Sequence, residues 1–142
     1  MSRQSRGFTL MEIIIVVVLI GLLAGLSSTL LLHKAQNAKK ELARTAIKGL
    51  LTQALQCFYL DNNFYPTTAQ GLQALVEKPS GSPEPAQYDD EGYLDEVPPD
   101  PWGMPYQYAC PGTHNKSWFD LWSCGPDRQP GTPDDIVNWR TR

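Results

Sequence analysis

Three carboxylates, Asp127, Asp134 and Asp135, fall within nine residues of the segment Ser123-Cys124-Gly125-Pro126-Asp127-Arg128-Gln129-Pro130-Gly131-Thr132-Pro133-Asp134-Asp135-Ile136. The Gly and Pro content prevents regular structure there, so backbone carbonyls are free to turn inward beside the side chains. Such hard oxygens suit Ca2+, which takes about six to eight of them at about 2.3–2.6 Å. The spacing is not that of an EF-hand, and a solvated acidic loop accounts for the composition as well. Catalysis is not expected. His33 and His114 lack the context of a base beside a nucleophile, and the adjacent Asp134 and Asp135 point in different directions on a loop. The three cysteines, Cys57, Cys110 and Cys124, allow at most one internal disulfide and show no CxxC metal spacing. One disulfide and three buried thiols are both open readings.

A fourth carboxylate stands apart. Glu12 precedes a run from Ile13 to Leu32 that carries no charge and only Ser27, Ser28 and Thr29 as polar side chains. At about 1.5 Å per residue this run spans about 30 Å, the thickness of a bilayer's hydrocarbon core. Arg3 and Arg6 ahead of it favour a cytoplasmic N-terminus and send the chain beyond Leu32 to the other side. Burying an acid at the start of such a helix costs on the order of several kcal/mol unless it finds a partner. Cutting the Gly7–Phe8 bond would create one, because the new α-amine of Phe8 could neutralise Glu12 of a neighbouring subunit. A Glu lying in the headgroup layer is the plainer alternative. Ala24-Gly25-Leu26-Ser27-Ser28 also imitates a secretory cleavage site.

The elements that must position these groups divide the chain into contrasting halves. No proline interrupts His33 to about Leu60, so the helix is expected to continue there. Ile47, Leu51, Ala54, Leu55 and Phe58 form an apolar stripe, with Lys48, Thr52 and Gln56 off it. Beyond residue 60 lie all 12 prolines and 7 of the 11 glycines, which suggests one compact, turn-rich domain. Asp61-Asn62-Asn63 ends the helix, and a short second helix is expected over Thr67–Val76, opened by a Thr cap and closed before Pro79. Ser80 to Gln87 reads as a loop, and Pro98-Pro99-Asp100-Pro101-Trp102-Gly103 as a rigid corner. Strands over Tyr106–Ala109 and Trp118–Trp122 form a hairpin. That hairpin puts Cys110 and Cys124 about 20 Å apart at about 3.3 Å per residue, beyond a disulfide's reach. The formal charge of −3 includes Arg3 and Arg6, so a processed chain is more acidic still and no nucleic-acid partner is expected.

The string Arg6-Gly7-Phe8-Thr9-Leu10-Met11-Glu12 and the apolar run after it resemble the precursor signature of type IV pilins and type II secretion pseudopilins. A narrower resemblance, to the major pseudopilins of type II secretion, rests on Tyr59-Leu60-Asp61-Asn62, Tyr65-Pro66-Thr67-Thr68, Gln70-Gly71-Leu72, Ala74-Leu75, Lys78-Pro79, Asp100-Pro101-Trp102-Gly103 and Tyr106. The resemblance implies a pilin-like α+β fold: a long N-terminal helix, transmembrane then amphipathic, on a small C-terminal antiparallel sheet with long loops. It divides the chain into a leader (1–7), a transmembrane and assembly helix (8–32) and a periplasmic domain (33–142). Prepilin peptidase would cut between Gly7 and Phe8, Phe8 would be N-methylated, and Glu12 would serve assembly. The implied function is a homopolymeric filament subunit at the inner membrane and in the periplasm, for export of folded proteins across the outer membrane. Its implied partners are minor pseudopilins, an inner-membrane platform and an assembly ATPase. A type IV pilin, a minor pseudopilin and a membrane-tethered binding module that never polymerises are the rival readings.

The resemblance also implies a structural Ca2+ in the last loop, with Asp127, Asp134 and Asp135 as side-chain ligands and a backbone carbonyl near Cys124 as a further one. Three departures from the family pattern stand out. Cys124 occupies a usual Leu position, Thr29 a frequent Pro position in the apolar helix, and Arg128 a usual Gly position, where a non-Gly residue fits unless φ must be positive.

Overall fold

A computed structural model describes residues 8–140; residues 1–7 and 141–142, and the side chains of residues 24–31, lie outside the described residues. The expected leader with Gly7, and the side chain of Thr29, therefore lie outside them too. The chain forms two compact units, Met1–Asn37 and Ala38–Arg142.

Helix α1 covers Leu10–Thr45. Thr9 starts it, since its hydroxyl and its carbonyl both accept the Glu12 N–H, at 3.3 and 3.1 Å. Thr9-Leu10-Met11-Glu12 has the spacing of a capping box, and Glu12 in the first turn suits the positive end of the helix dipole. In the first unit the apolar side chains find no cover: every large hydrophobic residue from Phe8 to Leu23 is at least 47% exposed. Among the described residues no helix is long and apolar enough to cross a membrane; the span expected over 8–32 takes in the undescribed side chains of 24–31.

In the second unit the expected stripe is the core. Ala43, Ile47, Leu51, Ala54, Leu55 and Phe58 are buried and pack with Leu72, Leu75, Trp102, Tyr106, Phe119, Leu121 and Ile136. The helical pattern is not uniform, however, because Ala46–Leu51 is π-helical before α2 begins at Thr52 and runs to Asn62. Gly49 weakens the α-helix locally, and a π turn inserts one extra residue per turn, rotating the residues beyond it. This corrects the expected placing of Thr52, which is buried, with its hydroxyl donating to the Ile47 carbonyl at 2.6 Å. Asn63 ends α2 in the left-handed region, φ 61°, donating to the Tyr59 carbonyl, a conformation that Asn tolerates.

The second helix is shorter than expected, a single 3-10 turn over Leu72–Leu75. Thr67 and Gln70 do exchange capping bonds, but Gly71 at φ 62° and ψ −167° breaks the path between that cap and the turn.

Three short strands, β1 (Gln107–Ala109), β2 (Asp120–Ser123) and β3 (Ile136–Val137), form an antiparallel meander in the order β1-β2-β3. The register pairs Tyr108 with Leu121 and Ser123 with Ile136. Cys57, Cys110 and Cys124 are all free thiols, and Cys57 is exposed rather than buried. On β2, Asp120 is 1% exposed. Burial alone would raise its carboxyl, but the N–H groups of His114 and Asn115, the His114 ring and the Thr113 hydroxyl outweigh it and hold the pKa below the usual carboxylate value. A depressed folded-state pKa means that this stabilisation is present above the ordinary carboxylate value and is lost as pH falls through the depressed one.

Candidate functional site

The acidic segment is the connection between β2 and β3. Because Trp122 pairs with Val137 and Ser123 with Ile136, the ladder fixes both ends of a loop that is too rich in Gly and Pro to hold itself. Inside it, the Asp127 N–H donates to the Asp134 carboxylate at 3.3 Å, while the Asp127 carboxylate accepts the Gln129 N–H at 2.9 Å. Asp135 accepts the Gly131 N–H at 2.7 Å. The Thr132 hydroxyl lies 2.7 Å from Asp134 and 3.3 Å from Asp135. Its bond to Asp134 is the main reason that carboxyl sits below the usual range, assisted by the Asp127 N–H against a smaller opposing effect of burial.

Gly125 closes the other side at φ +66°. A Cβ placed on it would stand 2.5 Å from the Asp134 carbonyl and 3.1 Å from its carboxylate, so only a bare Cα leaves room there. Cys124 is 3% exposed. Its thiol is pushed up by burial first and then by the negative charges of Asp135, Asp100 and Asp127. Among the described residues no Lys, Arg or His is ion-paired with Asp127, Asp134 or Asp135.

The loop thus combines an all-oxygen donor set with uncompensated negative charge and a cradle that a side chain at 125 would fill. In chemical type this fits a hard divalent cation. Among the described residues no three His, Cys, Asp or Glu side chains stand together to hold a metal by themselves, so a cation here would also need hydroxyl or backbone oxygens. Thr132 was not among the expected site residues; its place two and three positions before the paired acids is a common spacing for local hydroxyl bonds.

Arg128 adopts φ 61°. The condition under which the Gly-to-Arg departure would matter is therefore met, and a side chain in this region costs about 1 kcal/mol or more. Arg128→Gly is expected to raise stability by about 0.5–1 kcal/mol after the added freedom of the unfolded chain is subtracted. In urea unfolding this is a higher midpoint at unchanged slope; an equal or lower midpoint would show that the arginine's conformation costs nothing.

Beside the loop, Thr113, His114, Asp120, Trp122, Pro130, Gly131, Asp135 and Trp139 line a cavity of about 180 Å3. Trp139 stacks on His114 at 4.1 Å, and its ring centre is 5.8 Å from that of Trp122. At the other end of the chain, Phe8 is 77% exposed and Glu12 is exposed.

A family model described as "Type II secretion system (T2SS), protein G" matches residues 30–139, and one described as "Prokaryotic N-terminal methylation motif" matches residues 2–28. The chain belongs to the type II secretion system protein G family. Type II secretion system core protein G of Dickeya chrysanthemi is 48% identical over 98% of this chain and 89% of that protein. The protein of the same name from Pseudomonas aeruginosa is 48% identical over 96% of each chain. The crystal structure of the major pseudopilin from the type 2 secretion system of enterohaemorrhagic Escherichia coli superposes with a TM-score of 0.70. It is 43% identical and covers 77% of this chain and 89% of that one. The pilin-like α+β fold expected from the sequence is thus the observed one. The protein G match includes the whole β2–β3 loop, and the methylation-motif match includes Gly7, Phe8 and Glu12.

Proposed function

We propose that this chain is the major structural subunit of a type II secretion pseudopilus, a polymer rather than an enzyme. The protein G match over residues 30–139, together with the methylation motif over 2–28, carries this reading. The uncovered apolar side chains of Phe8 to Leu23 support it, since such a helix requires lipid before assembly and neighbouring helices after it. In this reading, residues 8–32 anchor the precursor in the inner membrane with the domain from residue 33 in the periplasm. Prepilin peptidase removes residues 1–7, Phe8 is N-methylated, and its amine neutralises Glu12 of a neighbouring subunit. Minor pseudopilins, a membrane platform and its ATPase complete the assembly, which drives or scaffolds export of folded proteins.

Calcium belongs to the same proposal. Asp127, Asp134 and Asp135 would hold it, with the Thr132 hydroxyl and the carbonyl near Cys124 as further oxygens. The ion would offset the charge of the carboxylates, which no ion pair among the described residues neutralises. The donor chemistry and the cradle at Gly125 support this.

The test is expression in a secreting cell that lacks its own major pseudopilin. Mass spectrometry is expected to find a chain beginning at a methylated Phe8, and secretion is expected to be restored. Glu12→Leu should leave the chain membrane-inserted but unassembled, with secretion lost. Retention of residues 1–7 with no filament would instead indicate a tethered binding module, and long surface fibres a type IV pilin.

A further inference from the structure

Asp100 lies in the Pro98–Gly103 corner, far in sequence from the acidic loop, yet it is 3% exposed and has no cationic partner among the described residues. Among the described residues, hydrogen bonds alone satisfy it. One oxygen accepts the N–H groups of Trp102 and Met104, at 3.0 and 2.8 Å. The other accepts the hydroxyl of fully buried Ser123 at 2.5 Å. With its proton committed to Asp100, the Ser123 oxygen presents a lone pair to the Gly125 N–H at 3.1 Å. Gly125 is the residue against which the Asp134 carbonyl and carboxylate pack.

We infer that Asp100 is a positioning residue for the cation loop: through the Ser123 hydroxyl and the Gly125 N–H it sets where the Asp134 oxygens stand. This inference rests on the calcium reading of the loop. The chemistry explains why the residue is an acid. All three of its partners are donors, so both oxygens must accept. An amide could keep its oxygen on the two N–H groups only by turning its NH2 toward Ser123, whose hydroxyl would then accept and lose the acceptor for its own proton, so Asn is no neutral replacement. A change at Asp100 is transmitted along a chain of buried bonds, in which each member orients the next.

The experiment is Ca2+ titration by calorimetry of the full-length chain in detergent, for the unaltered protein, Asp100→Asn, Ser123→Ala and Thr52→Val. The last removes a buried hydroxyl whose bond is to Ile47 and serves as a measure of general loosening. Asp100→Asn and Ser123→Ala are expected to weaken Ca2+ binding about ten- to a hundred-fold, as loss of a partner that orients a metal ligand does. Thr52→Val is expected to bind as the unaltered chain does. Amide exchange in chelator adds a readout independent of the metal: protection at Gly125 should fall in the Asp100 and Ser123 variants alone. If Asp100→Asn does not fold, Ser123→Ala carries the test. Unchanged affinity in both variants, or an equal loss in Thr52→Val, overturns the positioning role while leaving calcium in place. A wild-type chain that takes up no Ca2+ overturns both.

Discussion

Chelating calcium is expected to lower the thermal unfolding midpoint of the chain by about ten degrees or more, and Gly125→Ala is expected to abolish most of that difference. A ligand that binds only the folded form stabilises it by about 2.7 kcal/mol at a hundred-fold excess over Kd and about 4.1 kcal/mol at a thousand-fold excess. For a domain of this size each kcal/mol moves the midpoint by about 4 °C or more. Gly125→Ala acts on the site twice, since φ is +66° and the added methyl would stand 2.5 Å from the Asp134 carbonyl. Either the loop moves off β2 or Asp134 is displaced from the position in which it would hold the proposed ion. Scanning calorimetry with and without calcium, on both proteins, is the measurement. Coincident curves for the unaltered chain would remove calcium from the proposal and leave the family assignment untouched.

Phe58→Ala is expected to cost about 3–5 kcal/mol. Phe58 is fully buried and meets Phe64, Tyr93 and Tyr88 with ring centres 5.6, 5.4 and 6.5 Å away. The loss therefore includes edge-to-face contacts as well as buried area. Tyr93 is also tied to α2 by its hydroxyl, which donates to Asp61 at 2.8 Å and lies 3.3 Å from the Asn62 amide. Removing the ring beneath it should loosen the 88–94 segment before the sheet. Urea unfolding followed by circular dichroism gives the size of the effect. Cys57→Ala, one residue away but exposed, should change stability by no more than about 0.5 kcal/mol; comparable losses in the two variants would mean that α2 is not the spine of the core.

The stripe Ile47, Leu51, Ala54, Leu55 and Phe58 was legible because apolar periodicity is a local signal that burial then rewards. Thr52 was misplaced because a π turn changes the phase of a helix without any proline to announce it. The helix expected over Thr67–Val76 was overwritten by Gly71, whose φ is decided by the path the chain must take and not by propensity. The hairpin of β1 and β2 could be read from alternation and its intervening turn residues. Two-residue β3 has no pattern of its own and exists because Ile136 is buried opposite Ser123.

At the candidate site, the three acids stand out in the sequence only as a carboxylate cluster of no recognised metal spacing, and it is the family resemblance that gives them, and Gly7, Phe8 and Glu12, their expected roles. Thr132 and Asp100 do not stand out as site residues. The first matters through a local hydroxyl bond, the second through a contact 23 residues away in the chain, and neither leaves a mark on composition. Whether Arg128 is strained depends on a single torsion angle, φ 61°, which residue type alone does not reveal.

The cavity against the loop places two of the chain's four tryptophans, Trp122 and Trp139, beside Pro130, Gly131 and Asp135. One indole is stacked on an imidazole and the other stands at 69° to it. Half of the chain's indoles thus stand beside the loop, so movement of residues 130–135 should alter the polarity and quenching felt by these two fluorophores. The loop carries its own optical reporter, readable in a detergent micelle or an assembled filament without a label.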